Sequence, residues 1–167
     1  MISRMTESDL EGVLEIEKLS FISPWTKKMF KETYLSPITS NFVVKINEEI
    51  IGYLILYSVE DEAHIMNLAV HPEHRGKGYG SYLIAHAVSH SVARKVSEFF
   101  LEVRESNVNA QQLYAKFGFK IIGKRKGYYT ETNEDALVMH LSIKDSVERR
   151  AINQILQTSF YRTLNAE

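Results

Sequence analysis

The chain contains no cysteine. Disulfides, thiolate metal sites and a cysteine nucleophile are therefore excluded, and with them any intermediate bound to the protein through a cysteine sulfur. Long apolar runs are missing too. None approaches the ~18 residues of a membrane-spanning helix, and no apolar signal core opens the chain. Charge of either sign is not in excess: 20 basic and 21 acidic residues leave a net −1. No global field draws the chain to nucleic acid or to an anionic membrane. These absences point to a cytoplasmic chain with neither direct nucleic-acid contact nor a membrane partner. What is present, 44% hydrophobic and 25% charged residues in a length of 167, suits one soluble domain with a real core. No internal repeat or low-complexity segment interrupts it.

The richest local pattern is His71-Pro72-Glu73-His74-Arg75-Gly76-Lys77-Gly78-Tyr79-Gly80. An apolar run over 64–70 precedes it, and a helical pattern over 81–94 follows. A strand that breaks into a glycine turn and then a helix presents backbone N–H groups and a positive helix end to one place. Gly76, Gly78 and Gly80 leave room for an anion near the backbone and permit φ > 0, while Arg75 and Lys77 add charge. The turn reads as a seat for a pyrophosphate-bearing ligand. It is not a P-loop, because Gly76-Lys77 is followed by Gly78 and no glycine stands five residues before Gly76. It is not the dinucleotide fingerprint either, because the third glycine position falls on Ser81 or Leu83. Arg-x-x-Gly-x-Gly remains.

Periodicity outlines the rest. Leu10, Val13, Leu14, Ile16 and Leu19 predict an amphipathic helix over 8–20, with Thr6 or Ser8 as N-cap. Pro24-Trp25 interrupts it, and 26–35 reads as a second helix, with Pro37 marking a loop. Strands are expected at 42–46 and 50–59, joined by a hairpin at Asn47-Glu48-Glu49, and at 62–70. A helix over 81–96, a strand at 99–103, a helix over 109–117 ending at Gly118, and strands at 120–126 and 136–141 complete the order. This α-α-β-β-β-α-β-α-β-β series is α+β rather than strict βαβ alternation.

The loop resembles the acetyl-CoA-binding loop of the GNAT N-acetyltransferase family. Further motifs recur in its RimI/Ard1 branch: Phe21-x-x-Pro24-Trp25, Asn67-Leu68-Ala69-Val70-x-Pro72, Leu101-Glu102-Val103-Arg104-x-Ser106-Asn107, Leu113-Tyr114-x-x-x-Gly118-Phe119, and Tyr128-Tyr129 followed by Glu134-Asp135-Ala136 and Met139. They run in consistent order from residue 1 to about 143. The resemblance implies the acyl-CoA N-acyltransferase fold, a mixed, mostly antiparallel central sheet flanked by helices. It also implies acetyl-CoA as cosubstrate, and protein or peptide N-termini as acceptors. A ribosomal protein, nascent chains or a ribosome-associated target fall in that class, and a monomer or weak dimer is expected. Acetyl-CoA would lie against Leu68, Ala69, Val70, Arg75, Gly76, Lys77, Gly78, Tyr79, Gly80, Ser81, Asn107, Asn109 and Tyr114. By the same resemblance, the strand before the loop splays from its neighbour and offers the amides of Leu68 and Val70 to the oxyanion.

Transfer to an amine needs a base, and a leaving thiolate needs an acid. Tyr114 is the candidate acid, since a phenol titrating near 10 is neutral at pH 7; packing beside Phe117 and Phe119 is the competing role. Glu102 is the candidate base, acting directly or through water. Strand alternation puts it beside Phe100, an apolar setting for a carboxylate; a salt bridge to Arg104 or a neighbouring lysine is the alternative. Phe21, Pro24, Trp25, Tyr128 and Tyr129 are candidates for acceptor binding, and Glu134-Asp135 for drawing in a charged amine or for a solvated turn. Of the six histidines, His86 and His90 stand i, i+4, but no third ligand joins them and no metal is expected; His140 is a distant candidate base. At pH 7 about a tenth of an α-amine is neutral, against far less than about a thousandth of lysine, so a weak base suffices for an N-terminus. Lysine or small-amine acetylation, and a non-catalytic acyl-CoA sensor, stay open as alternatives. Beyond the domain, 144–167 carries Val147, Ala151, Ile155 and Phe160 as one helical stripe, docked on its own domain, on a subunit, or frayed.

Overall fold

A computed structural model describes residues 1–144 together with Ile152, Gln154, Gln157 and Thr158. The stripe positions Val147, Ala151, Ile155 and Phe160 lie outside the described residues. Along the chain run β1 (Ile2–Arg4), α1 (Leu10–Ser20), α2 (Lys27–Leu35), β2 (Thr39–Ile46), β3 (Glu49–Val59) and β4 (Glu62–Val70). Then come α3 (Tyr79–Val92), β5 (Glu98–Arg104), α4 (Val108–Lys116), β6 (Lys120–Tyr129) and β7 (Glu134–Ser142). The strands form one seven-stranded sheet in the order β1-β2-β3-β4-β5-β7-β6. Only β4 and β5 run parallel. The α+β class and the mostly antiparallel sheet expected from the sequence are what the chain builds.

Local chemistry sets the elements. The β2–β3 hairpin turns on Asn47 and Glu48, both left-handed at φ 47° and 67°, which matches the right-handed twist of the strands. Thr26 caps α2 by accepting from the Met29 N–H. At α1 the sequence expectation shifts. Thr6 heads a single 3₁₀ turn, with its N–H and hydroxyl both donating to Asp9, and Asp9 occupies the N-cap position of α1 itself. Strand β1 was not visible in the sequence, being too short to show a period; it forms because β2 offers it an edge. Helix α3 begins at Tyr79 and ends at Val92, so Tyr79 and Gly80 belong to its first turn.

Apolar residues fill both faces of the sheet. On one, Val13 and Ile16 of α1 and Phe30 of α2 pack on Val43, Tyr53 and Ile55. On the other, Leu83, Ile84 and Val88 of α3 pack on Leu54, Leu56, Phe99 and Leu101, with Tyr114 and Phe117 closing that layer. The interior strand β3 is buried along six successive residues, as a strand covered on both faces must be.

His86 and His90 belong to this packing: both rings stand edge-on to Phe42, at 4.7 and 4.9 Å. Burial first, then Arg94, Arg4 and His86, hold the His90 imidazole down to about 4 from the ordinary 6.5. The unfolded chain therefore binds a proton here that the fold refuses between those two values, so stability falls as pH falls through that window. In His90→Gln the loss is expected to be smaller; thermal melts between about pH 7 and pH 4 measure it.

Candidate functional site

The glycine turn sits where β4 meets α3. Gly76 and Gly78 take φ of 76° and 93°, conformations other residues adopt only with strain. Gly78 is the N-cap of α3 and brings no capping side chain, which leaves the first-turn N–H groups uncapped by it and suited to an anion. Gly80 is small for a different reason. A Cβ there would meet Leu113 Cδ2 of α4 at 3.1 Å, so glycine lets α3 and α4 close together beside the loop. Arg75 also has partners in the protein. Its Nε donates to the Val70 carbonyl at 3.0 Å and its guanidinium to Ser20 Oγ at 2.9 Å, so it braces the turn onto β4 and α1, and both partners are neutral, which leaves its charge beside the turn.

β4 and β5 separate at this point. Their pairing runs from Glu62↔Glu98 to Ile65↔Leu101 and stops, although β4 continues to Val70 and β5 to Arg104. The cause is a bulge. Opposite β3, Ile65 pairs Leu56 and Asn67 pairs Ile55, leaving Met66 as the extra residue. A bulge bends its strand and reverses the alternation of faces. Ala63 and Ile65 accordingly join the α3 core, whereas Ala69 joins the α1 core and Asn67 reaches a helix α1 side chain. Beyond the bulge, the His71 N–H bonds the Ile51 carbonyl of β3 at 2.8 Å. Alternation then turns the Leu68 and Val70 amides to the opposite edge, into the gap toward β5.

Glu102 follows Leu101, the last residue of β5 paired with β4, and Tyr114 is on α4. Tyr114 is buried, its ring tilted onto Phe119 at 5.8 Å. Burial, then the Tyr129 phenol nearby, pushes its hydroxyl up, so it remains protonated across the physiological range. Glu102 lies on the sheet face opposite α3 with Phe100, as alternation requires, but its setting is not the apolar one expected. The Arg125 guanidinium of β6 stands 3.0 Å from its carboxylate, a partner two strands away that no sequence pattern marks. Asn107 caps α4 by accepting from the Ala110 N–H at 3.1 Å, with Asn109 exposed in the first turn.

The β6–β7 hairpin carries Tyr128 and Tyr129 on the strand itself, since β6 extends beyond the expected residue 126. The two rings meet edge-on at 5.1 Å, Arg104 lies 3.8 Å over Tyr129 and Arg125 5.7 Å over Tyr128. Burial pushes the Tyr129 phenol up to about 12. Glu134 and Asp135 do not wait for an amine. Glu134 accepts from the Ser106 N–H and faces Arg104, and Asp135 accepts from the Gly127 N–H and faces Lys124. Their charges hold the hairpin.

The loop between α1 and α2 carries Phe21, Pro24 and Trp25. Pro24 is exposed; Phe21 and Trp25 are half-buried against the α1 core. Trp25 lines a shallow groove of about 350 Å³ with Met29, Ile38, Tyr57 and the bulge residue Met66. Beneath the loop lies a residue that the sequence reading missed. Glu17 is 1% exposed and accepts from the Trp25 N–H at 2.7 Å, from Asn67 Nδ2 at 3.2 Å and from the Tyr53 hydroxyl. The signal was there: Leu10, Val13 and Leu14 set the apolar face of α1, and Glu17 occupies its next position. His140 bonds Glu98 and stacks on Phe100 at 4.7 Å; it stands two residues along the sheet from Val138, the partner of Glu102.

Comparison with known proteins adds a second line of observation. The family model described as "Acetyltransferase (GNAT) family" matches residues 10–119. A Bacillus subtilis (strain 168) protein is 40% identical over 145 residues, 86% of this chain and 96% of its own length. The ribosomal protein bS18-alanine N-acetyltransferase of Escherichia coli (strain K12) is 35% identical over 148 residues, 85% of this chain and 97% of its own. Among solved structures, the E. coli ribosomal-protein-S18-alanine N-acetyltransferase superposes with a TM-score of 0.81 at 33% identity, covering 87% of this chain and 95% of that one. Ard1 from Thermoplasma volcanium gives 0.81 at 25% identity, covering 87% and 98%.

Proposed function

The chain belongs to the acetyltransferase (GNAT) family, and from that premise we propose that it moves the acetyl group of acetyl-CoA to the N-terminal alanine amine of ribosomal protein bS18. The observation that carries this reading is the extent of one likeness: 35% identity with the E. coli bS18 enzyme across 97% of that enzyme's length. The glycine turn and the separated strands β4 and β5 fall within residues 10–119, the span that the family model matches. On this reading residues 1–143 are the catalytic domain and 144–167 an extension. The enzyme works in the cytoplasm, as a monomer or weak dimer, on a free or ribosome-associated target. No helix among the described residues is long and apolar enough to cross a membrane.

Acetyl-CoA supplies the thioester; the rest is derived from this chain. The turn over 75–80 and the uncapped start of α3 hold the pyrophosphate by backbone N–H groups. Leu68 and Val70 direct their amides at the carbonyl oxygen, which becomes negative as the amine nitrogen bonds to the carbonyl carbon. Glu102, directly or through one water, takes a proton from that nitrogen. The carbon–sulfur bond breaks, and Tyr114 gives its proton to the sulfur, the phenolate being restored from solvent. The Trp25 loop and the Tyr128–Tyr129 pair flank the approach of the acceptor. Asn107 and Asn109 border the donor at the start of α4.

Two measurements test this. Incubation with acetyl-CoA and purified 30S ribosomal proteins, followed by intact-protein mass spectrometry, is expected to add one acetyl group to bS18 and none to the others; acetylation of another protein, with bS18 untouched, overturns the target. Gly78→Val forces a left-handed φ on a β-branched residue, at about 1–3 kcal/mol. Calorimetry is expected to show acetyl-CoA affinity weakened about tenfold or more, with the circular dichroism of the fold retained.

A further inference from the structure

Glu17 has no counter-charge among the described residues. Its carboxylate is 1% exposed, and its partners are three neutral donors: the Trp25 N–H, the Tyr53 hydroxyl and Asn67 Nδ2. Burying a carboxylate costs several kcal/mol, and a leucine at this position of α1 would pack without that penalty. Local rules are broken in this way where something other than stability is served.

The three donors come from three separate parts of the molecule. Trp25 belongs to the loop between α1 and α2. Tyr53 is on β3, buried, with Phe30 edge-on at 5.6 Å. Asn67 is on β4, the residue immediately after the Met66 bulge and immediately before Leu68. Only the reversal of faces at that bulge turns Asn67 toward α1. One carboxylate thus joins the acceptor-side loop to the strand that separates from β5. Arg75 makes a parallel tie from the donor loop to Val70 and to Ser20 at the end of α1.

We propose that Glu17 is a positioning residue: it fixes the Trp25 loop to the bulged strand, so that the acceptor amine is presented in register with the Leu68 and Val70 amides. This rests on the functional reading above, because it takes the Trp25 loop as part of the acceptor site. Glu17 touches neither substrate; it acts through Trp25 and Asn67. Its loss affects acceptor binding and leaves the donor loop, held separately by Arg75, in place.

The experiment compares the full chain with Glu17→Leu, Glu17→Asp and Glu17→Gln. Leucine removes all three bonds. Aspartate keeps the charge but is one methylene too short to reach the loop and both sheet donors together. Glutamine retains all three if the Tyr53 hydroxyl turns to accept and the Asn67 amide flips. Against a saturating amount of acetyl-CoA, the acceptor-peptide KM is expected to rise about tenfold or more for leucine and several-fold for aspartate, and to stay near wild type for glutamine. Acetyl-CoA affinity is expected to stay within about twofold throughout. Ile16→Val, a core change on the same helix, lowers stability without touching the loop and is expected to leave KM unmoved. An acceptor KM unchanged in both the leucine and aspartate variants overturns the proposal, as does an equal loss of acetyl-CoA affinity.

A second readout is independent of any acceptor. Trp25 is the sole tryptophan, so intrinsic fluorescence reports this loop directly. Red-shifted emission and stronger acrylamide quenching are expected for the leucine and aspartate variants, and neither for glutamine or Ile16→Val. Unchanged emission in the aspartate variant overturns the tie to the loop even where the leucine variant fails to fold. Emission that shifts in a chain that acetylates no peptide would leave the tie standing and remove the functional reading instead.

Discussion

Tyr114→Phe is expected to lower kcat by about 10²- to 10³-fold, the range a positioned general acid supplies, while acetyl-CoA affinity changes by no more than about twofold. The two halves follow from different features of one side chain. The ring is part of the core, tilted on Phe119, and phenylalanine keeps that contact and volume. The hydroxyl is pushed up by burial and by the Tyr129 phenol, so it keeps its proton across the physiological range. A shift upward leaves the acid form in place from neutral to about pH 10. Wild-type kcat is accordingly expected to show no descending limb in that interval. Steady-state kinetics with calorimetric acetyl-CoA titration decides the assignment. A parallel loss of affinity and rate would mean that Tyr114 only shapes the pocket.

Glu102→Gln is expected to lower the rate by about 10²-fold at pH 7, and the deficit is expected to shrink as pH rises past the α-amine's own titration near 7.7–8.0. Below that value the acceptor arrives mostly as an ammonium and must lose a proton, which glutamine cannot take. Above it the amine is already neutral and the base matters less. The Arg125 guanidinium at 3.0 Å sets a control. Arg125→Gln leaves the carboxylate in place, so the pH profile is expected to keep the wild-type shape. Profiles for Glu102→Gln and wild type that run parallel from about pH 6 to pH 9 would remove Glu102 as base.

Much of this architecture could be read from residue order. The Asn47-Glu48 turn declares a hairpin because asparagine readily reaches left-handed φ. The apolar spacing of α1 and the Gly76-x-Gly78 turn are equally local statements, and each fell within a few residues of its observed place. The form of that turn was legible because it depends on backbone conformation, which glycine advertises. What escaped notice depends on distant pairing. The Met66 bulge is defined by how β4 meets β3, and the sequence around it, Ile65-Met66-Asn67, looks like uninterrupted strand. The partner of Glu102 lies on β6, and strand order places β7 between them. The charge that Arg75 brings to the turn could be read from the sequence, but only the fold shows Val70 and Ser20 within its reach. Glu17 is the instructive case: its place on the apolar face of α1 broke the pattern visibly, yet the three donors that explain it come from residues 25, 53 and 67.

The central claim is that the acceptor is an N-terminal α-amine, and peptides that carry two amines test it most directly. Each begins with a free alanine and contains one internal lysine, and a matched set has the N-terminus blocked. After incubation with acetyl-CoA, fragmentation mass spectrometry locates the acetyl group. The expected result is acetylation at the alanine nitrogen alone and no turnover of the blocked peptides. Acetyl-lysine in both sets, with the free N-terminus unmodified, would contradict the account and assign this site to side-chain amines.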